Sequence, residues 1–333
     1  MNRTRIIITA AALTLTAAGL LIAGPLNPPA GPVTSTYKTL TEVEPRIAIN
    51  ATNTPGDADS LFKITQRGSY YLTGNITGVA GKHGVEITAS GVTLDLMGFD
   101  LSGIPAMGAF DGVSATVFSR TNITIRNGSV RGWGGEGVDL GTVGASNSAV
   151  IDVRASNNTG NGILTGSFSM ITGCTASLNT GDGIVAGEGS TITGCTASFN
   201  NGNGIWALEG CTISNCTPQV NTLDGIRVTS GCVVLANTCS FNGNGGDGAG
   251  IHATGSDNRI EGNNCTRSDR GIDVDVAGNI IIKNTCSGNT SNWEVAIGNV
   301  CLVILAPPTV AAISGDSGGL SPGSTNPNAN FTY

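Results

Sequence analysis

The sequence predicts an all-β fold, a single-stranded right-handed parallel β-helix of about nine coils, and three observations predict it. Glycine followed by Val or Ile recurs as Gly84, Gly112, Gly137, Gly162, Gly183, Gly204, Gly225, Gly250 and Gly271, at intervals of 28, 25, 25, 21, 21, 21, 25 and 21 residues. Apolar residues come in short β-branched bursts, as in Gly183-Ile184-Val185-Ala186 and Ser190-Thr191-Ile192-Thr193, and no window carries a helical period. Glycine supplies 50 of 333 residues against 12% charged and 5% aromatic, which suits tight turns and short strands. Fixed self-similarity of this kind marks a solenoid whose units bury each other's apolar edges.

The elements follow in chain order. Residues 1–24 place Arg3 and Arg5 ahead of an apolar run from Ile6 to Ala23, the pattern of a secretory signal. Left uncleaved, that run is long enough to anchor the chain in a membrane, the one membrane association expected. Removing it takes the net charge from −7 to −9, which disfavours nucleic acid and anionic lipid as partners. The expected location is secreted, periplasmic or on the cell surface. Residues 25–82 read as a linker and an N-terminal cap, because Ser60 to Gly78 hold two strand-like runs outside the repeat and an open solenoid end needs covering.

Residues 83–305 form the coils. A unit of 21 residues holds three short strands and three turns, stacked at ~4.8 Å per coil. The residue after each anchor glycine faces inward: Val85, Val113, Val138, Ile163, Ile184, Ile205, Ile226, Ile251 and Ile272. Asn158, Asn179, Asn200 and Asn221 stand four residues before an anchor, with Asn242 and Asn289 in the looser coils; stacked amides bond up the coils, and asparagine also accepts left-handed backbone. The nine cysteines obey the same geometry: Cys174, Cys195 and Cys216 share a column continued by Asn237, Asn263 and Asn284, while Cys239, Cys265 and Cys286 share another. An odd number without CxxC spacing points to free core thiols, not to a disulfide framework or a zinc site. Residues 306–333 are a low-complexity tail whose Phe331 and Tyr333 are placed to dock back on the coils.

The repeated N-x-x-[DN]-G-I followed by I-T-G-C resembles the parallel β-helix repeat of the pectate-lyase-like superfamily, over residues 83 to about 305. The resemblance implies the fold, and it implies a range of activities from polysaccharide lyases, polygalacturonase-like hydrolases and uronan epimerases to tailspikes and noncatalytic proteins. Asn221-Thr222-Leu223-Asp224 looks like the Asn-Thr-Asp motif of polygalacturonases, but Leu223 interrupts it and no Asp-Asp, Gly-His-Gly or Arg-x-Lys follows. Asp224 is therefore a repeat turn residue before it is a substrate-binding one.

Chemistry is expected in the outward column two residues past each glycine. Its later members, Trp206, Arg227, His252 and Asp273, each stand about one coil spacing from the next, and Asp275 and Arg270 lie beside them. Such a set suits a polysaccharide or cell-surface glycan: Trp206 to stack on a ring, Arg227 for a carboxylate, His252 for proton transfer, and Asp273 with Asp275 to orient the histidine or act as acid and base. His252, Asp273 and Arg227 are the catalytic candidates; Trp206, Asp275, Asp224 and Arg270 are the binding candidates. No cofactor is required, and calcium is the one ion that the paired carboxylates suggest. The longer turn at residues 240–250 would wall one side, while His83 has no acidic sequence neighbour and reads as a cap residue. The two functional readings are an exported lyase- or epimerase-like enzyme and a noncatalytic surface or adhesive β-helix. The sequence specifies no oligomeric state.

Overall fold

The computed structural model describes residues 44–142, 144–305 and 327–332. The expected signal segment and most of the linker and tail lie outside the described residues. Contacts divide the chain at Pro45, and the description below concerns the unit that begins at Arg46.

Among the described residues there is no helix; parallel strands stack coil upon coil into two sheets. One sheet has eleven strands and the other has 22, to which each regular coil contributes two. Registers repeat from coil to coil, with Ile184 opposite Ile205, Thr191 opposite Thr212 and Thr196 opposite Thr217. The winding is that of a right-handed β-helix. All nine residues expected to point inward are fully buried, at 0% exposure. Each such Val or Ile contributes about 2–5 kcal/mol, judged by what truncation to alanine costs in a packed core.

The coil stack is longer than the glycine ruler by one rung at each end. Ser60–Ile64 pairs with His83–Ile87, placing Leu61 where later coils have glycine, and Ser291–Val295 pairs with Arg270–Val274, placing Asn292 there. Trp293, which reads as a turn residue in the sequence, thereby takes the inward position opposite Ile272. The chain's last described strand, Asn330–Thr332, lies between Thr285–Ser287 and Val303–Leu305, so Phe331 does return to the coils; Tyr333 lies outside the described residues.

Side-chain amides bind neighbouring coils as expected. Nδ2 of Asn158, Asn179 and Asn200 each donates to the Oδ1 of the next ladder asparagine at 3.0 Å, and that same oxygen accepts the backbone N–H of the residue below. A second ladder runs Asn237, Asn263, Asn284 and Asn330, so the final turn of the chain completes a column that Cys174, Cys195 and Cys216 begin. One expectation needs correction. The left-handed residue is not the ladder asparagine but the one before it: Asn157, Leu178, Phe199, Val220 and Phe241 all have φ of 55–58°. The ladder amide must reach along the stack, so its own backbone stays extended and the bend falls one residue earlier.

The anchor glycines act through close approach. A Cβ on Gly183 would sit 2.6 Å from the carbonyl oxygen of Gly204 and 2.7 Å from Nδ2 of Asn200. The cysteines are free among the described residues and all but Cys301 are buried, with Cys239, Cys265 and Cys286 in register.

Candidate functional site

The outward column of the eleven-stranded sheet is continuous. Trp206 is paired with Arg227, Arg227 with His252, His252 with Asp273, and Asp273 with Glu294. Inward Ile205, Ile226, Ile251 and Ile272 hold each strand on the core, which turns the following side chain out. Asp224 reaches the same place from the turn before the preceding strand.

His252 lies at the centre. Its Nδ1 is 2.9 Å from Oδ2 of Asp224, whose Oδ1 accepts the backbone N–H of Ala249 at 2.7 Å. Its Nε2 is 3.2 Å from Oδ2 of Asp275 and 3.8 Å from Oδ2 of Asp273. Burial opposes a charge on the ring, but the carboxylates of Asp224, Asp273 and Asp275 outweigh it and raise its pKa to about 9. His252 is an imidazolium at neutral pH, with a donor at each nitrogen aimed at an acceptor.

Arg270 fixes the neighbouring carboxylates. Its guanidinium meets Asp273 at 2.7 Å, Glu294 at 2.6 Å and Asp247. Asp247 belongs to the expected wall at residues 240–250, and Asp269 holds that turn by accepting the backbone N–H groups of Gly245 and Gly246. Burial raises the pKa of Asp273, and the charges of His252 and Arg270 offset this only in part. Arg227 makes no ion pair or hydrogen bond among the described residues, in contrast to Arg270, and the indole N–H of Trp206 is buried without a partner. His252, Asp273 and Asp275 also bring one ligand atom each within 4.8 Å of one another. Two carboxylates fall short of the roughly 6–8 oxygens that calcium takes, and the imidazolium competes for them.

A second cluster, which the sequence reading misses, occupies the early rungs of the same sheet. His83 Nδ1 lies 3.0 Å from the backbone N of Asp111 and 3.3 Å from its Oδ2, so the ring accepts the N–H when neutral and donates to the carboxylate when charged. His83 is thus not a cap residue without acidic neighbours. Asp111, Glu136 and Asp139 bring their carboxylates within 4.8 Å of one another, and burial with the Asp111 charge raises the pKa of Glu136 to about 7. A signal existed: His83, Asp111, Glu136, Asn161, Asp182, Asn203 and Asp224 each precede an anchor glycine and form a polar column.

A family model described as right handed beta helix region matches residues 75–216. The chain folds as a right-handed parallel β-helix. Among solved structures this β-helix is similar to the A-module of Azotobacter vinelandii mannuronan C-5 epimerase AlgE6, at 17% identity and TM-score 0.59, over 76% of this chain and 86% of that one. It is likewise similar to the A-module of the AlgE4 epimerase from the same organism, at 16% identity and TM-score 0.52, over 76% and 87% of the two chains. No relative was found among curated protein sequences. At such identities the likeness concerns the β-helix fold. No helix among the described residues is long and apolar enough to cross a membrane.

Proposed function

We propose that this β-helix is exported and processes an acidic polysaccharide at the column from Trp206 to Asp273, by proton transfer of the lyase or epimerase kind. The observation that carries this reading is the charged His252 held between Asp224 and the Asp273–Asp275 pair, with the unpaired guanidinium of Arg227 on the adjoining rung. A uronate residue offers a carboxylate to Arg227 and a ring face to Trp206. Arg227 stabilises the negative charge that builds on the carboxylate when the adjacent C5–H bond breaks. Asp273, whose affinity for protons burial has raised, accepts that proton. His252 then donates its own. In elimination the C5–H electron pair forms the C4=C5 double bond, the C4–O4 bond breaks, and O4 leaves with the proton from His252; in epimerisation C4–O4 stays intact and the proton from His252 is delivered to C5 on the face opposite Asp273, which keeps the proton it removed. Arg270 and Asp224 position Asp273 and His252.

A panel of homopolyuronates tests this, read by ultraviolet absorbance for the unsaturated product and by deuterium uptake at C5 for epimerisation. Turnover by the wild type and its loss in His252→Ala and Asp273→Ala, with unchanged melting, supports the reading; a wild type inert on every member removes it. The second reading, a noncatalytic adhesive β-helix, is favoured by the short uniform turns between Gly162 and Gly225, which build no wall.

A further inference from the structure

Backbone strain marks a second surface, on the turns that lead into the eleven-stranded sheet, the last of which also belongs to the 240–250 wall. The left-handed position before the ladder asparagine is suited to asparagine or glycine, and Asn157 with φ of 56° and Gly288 with φ of 64° fill it at the two ends. Of the five coils between them, four in succession place Leu178, Phe199, Val220 and Phe241 there at φ of 57°, 58°, 56° and 55°, and the fifth places Arg267 there at 56°. A bulky or β-branched side chain costs about 1–2 kcal/mol in this conformation. Burial does not offset that cost, because Leu178, Phe199 and Phe241 are 55%, 54% and 42% exposed. The turn does not need them either, since Asn157 and Gly288 make it without them.

The strip these residues form is uncharged throughout: residues 175–181, 196–202, 217–223 and 238–244 contain no Asp, Glu, Lys, Arg or His. Hydroxyl and amide groups rim it, Ser198 and Gln219 on one edge and Asn201 and Thr222 on the other. The guanidinium of Arg267 closes one end, 5.2 Å from the centre of the Phe241 ring. An exposed apolar patch with a polar rim on an acidic chain has the character of a binding surface.

We propose that this strip docks an uncharged, extended β-1,4-linked polysaccharide lying along the coil stack. A pyranose in such a chain presents C–H faces to apolar and aromatic side chains and hydroxyl edges to the Ser, Gln, Asn and Thr groups of the rim. Apart from Arg267 at one end, the strip carries no charge for a polyanion or a polycation to meet. Phe199 and Phe241 are two coils apart, about 9.6 Å, a little short of the disaccharide repeat of an extended β-1,4 chain, so successive units present like faces to the two rings. The surface would hold a matrix glycan while the outward column works on another polymer.

The test is titration calorimetry of the full chain with cellohexaose and mannohexaose, with maltohexaose and a hexauronate as controls, on the wild type, His252→Ala and Phe199→Asn/Phe241→Asn. Asparagine is already the residue of this column at position 157, so the double variant keeps the turn and its melting temperature is equal or higher. The proposal expects binding of an uncharged β-1,4 hexasaccharide by the wild type and His252→Ala alike, and a loss of about tenfold or more in the double variant. It is overturned if no such hexasaccharide binds, if the double variant binds as the wild type does, or if the double substitution instead turns a dimer into a monomer in sedimentation, which would make a second copy of the chain the occupant. None of these outcomes depends on turnover at His252.

Discussion

His252 Nδ1 and Asp224 Oδ2 stand 2.9 Å apart across 28 residues of sequence and one coil of structure. That contact fixes the ring's orientation and, with Asp273 and Asp275, keeps it charged. Asp224→Asn therefore brings the His252 pKa down from about 9 towards the ordinary 6.5, a fall of at least ~1 unit, as measured by NMR titration of the ring.

The same shift links stability to pH. The folded-state pKa is raised above the unfolded one, so the stabilisation is complete below pH 6.5 and is lost as pH rises through about 9. Wild type minus His252→Ala should lose on the order of 1–2 kcal/mol between pH 6 and pH 10 in denaturant titrations, after allowing for solvent screening.

Glu136 gives the same sign of pH dependence at lower pH, because here the neutral form is the one favoured by folding. Its carboxyl holds a proton more tightly folded, at about 7, than unfolded, at 4.5, so stability falls as pH rises between these values. Glu136→Gln keeps the shape without the charge, and should melt higher than the wild type at pH 8 and no higher at pH 4.

The asparagine ladder and its preceding residue should respond oppositely. Asn200→Ala removes the acceptor of one Nδ2–H and of the backbone N–H of Asn179, both buried, and should destabilise by about 2–4 kcal/mol in chemical denaturation. Val220→Asn relieves a β-branched left-handed residue and should stabilise by about 1 kcal/mol.

The fold was legible because a stacked coil repeats its chemistry. Inward Val85 to Ile272, the amide ladders and the cysteine columns all follow from spacing alone. The terminal rungs were hidden because they lack the glycine: Asn292 has no further rung of the sheet for a Cβ to strike, and Leu61 takes the position at the first rung. Glu294, a partner of Arg270, was lost with the last rung. His252, Asp273 and Asp275 were legible as one strand face, but the role of Asp224 depends on how far a turn side chain reaches into the next coil, and no spacing encodes that distance. Asp111 and Glu136 escaped for the same reason, being turn residues: Asp111 reaches His83 of the preceding coil, and Glu136 reaches Asp111.

The central claim is that His252 and Asp273 transfer protons to and from a uronate held by Arg227. Deuterium uptake at C5 of homopolyuronates, followed in deuterated buffer together with absorbance of the unsaturated product, tests it most directly. The account predicts uptake or elimination by the wild type, and in Arg227→Ala, His252→Ala and Asp273→Ala rates lower by about 100-fold or more with intact melting curves. Wild-type protein that leaves every C5–H and C4–O4 bond untouched would contradict it.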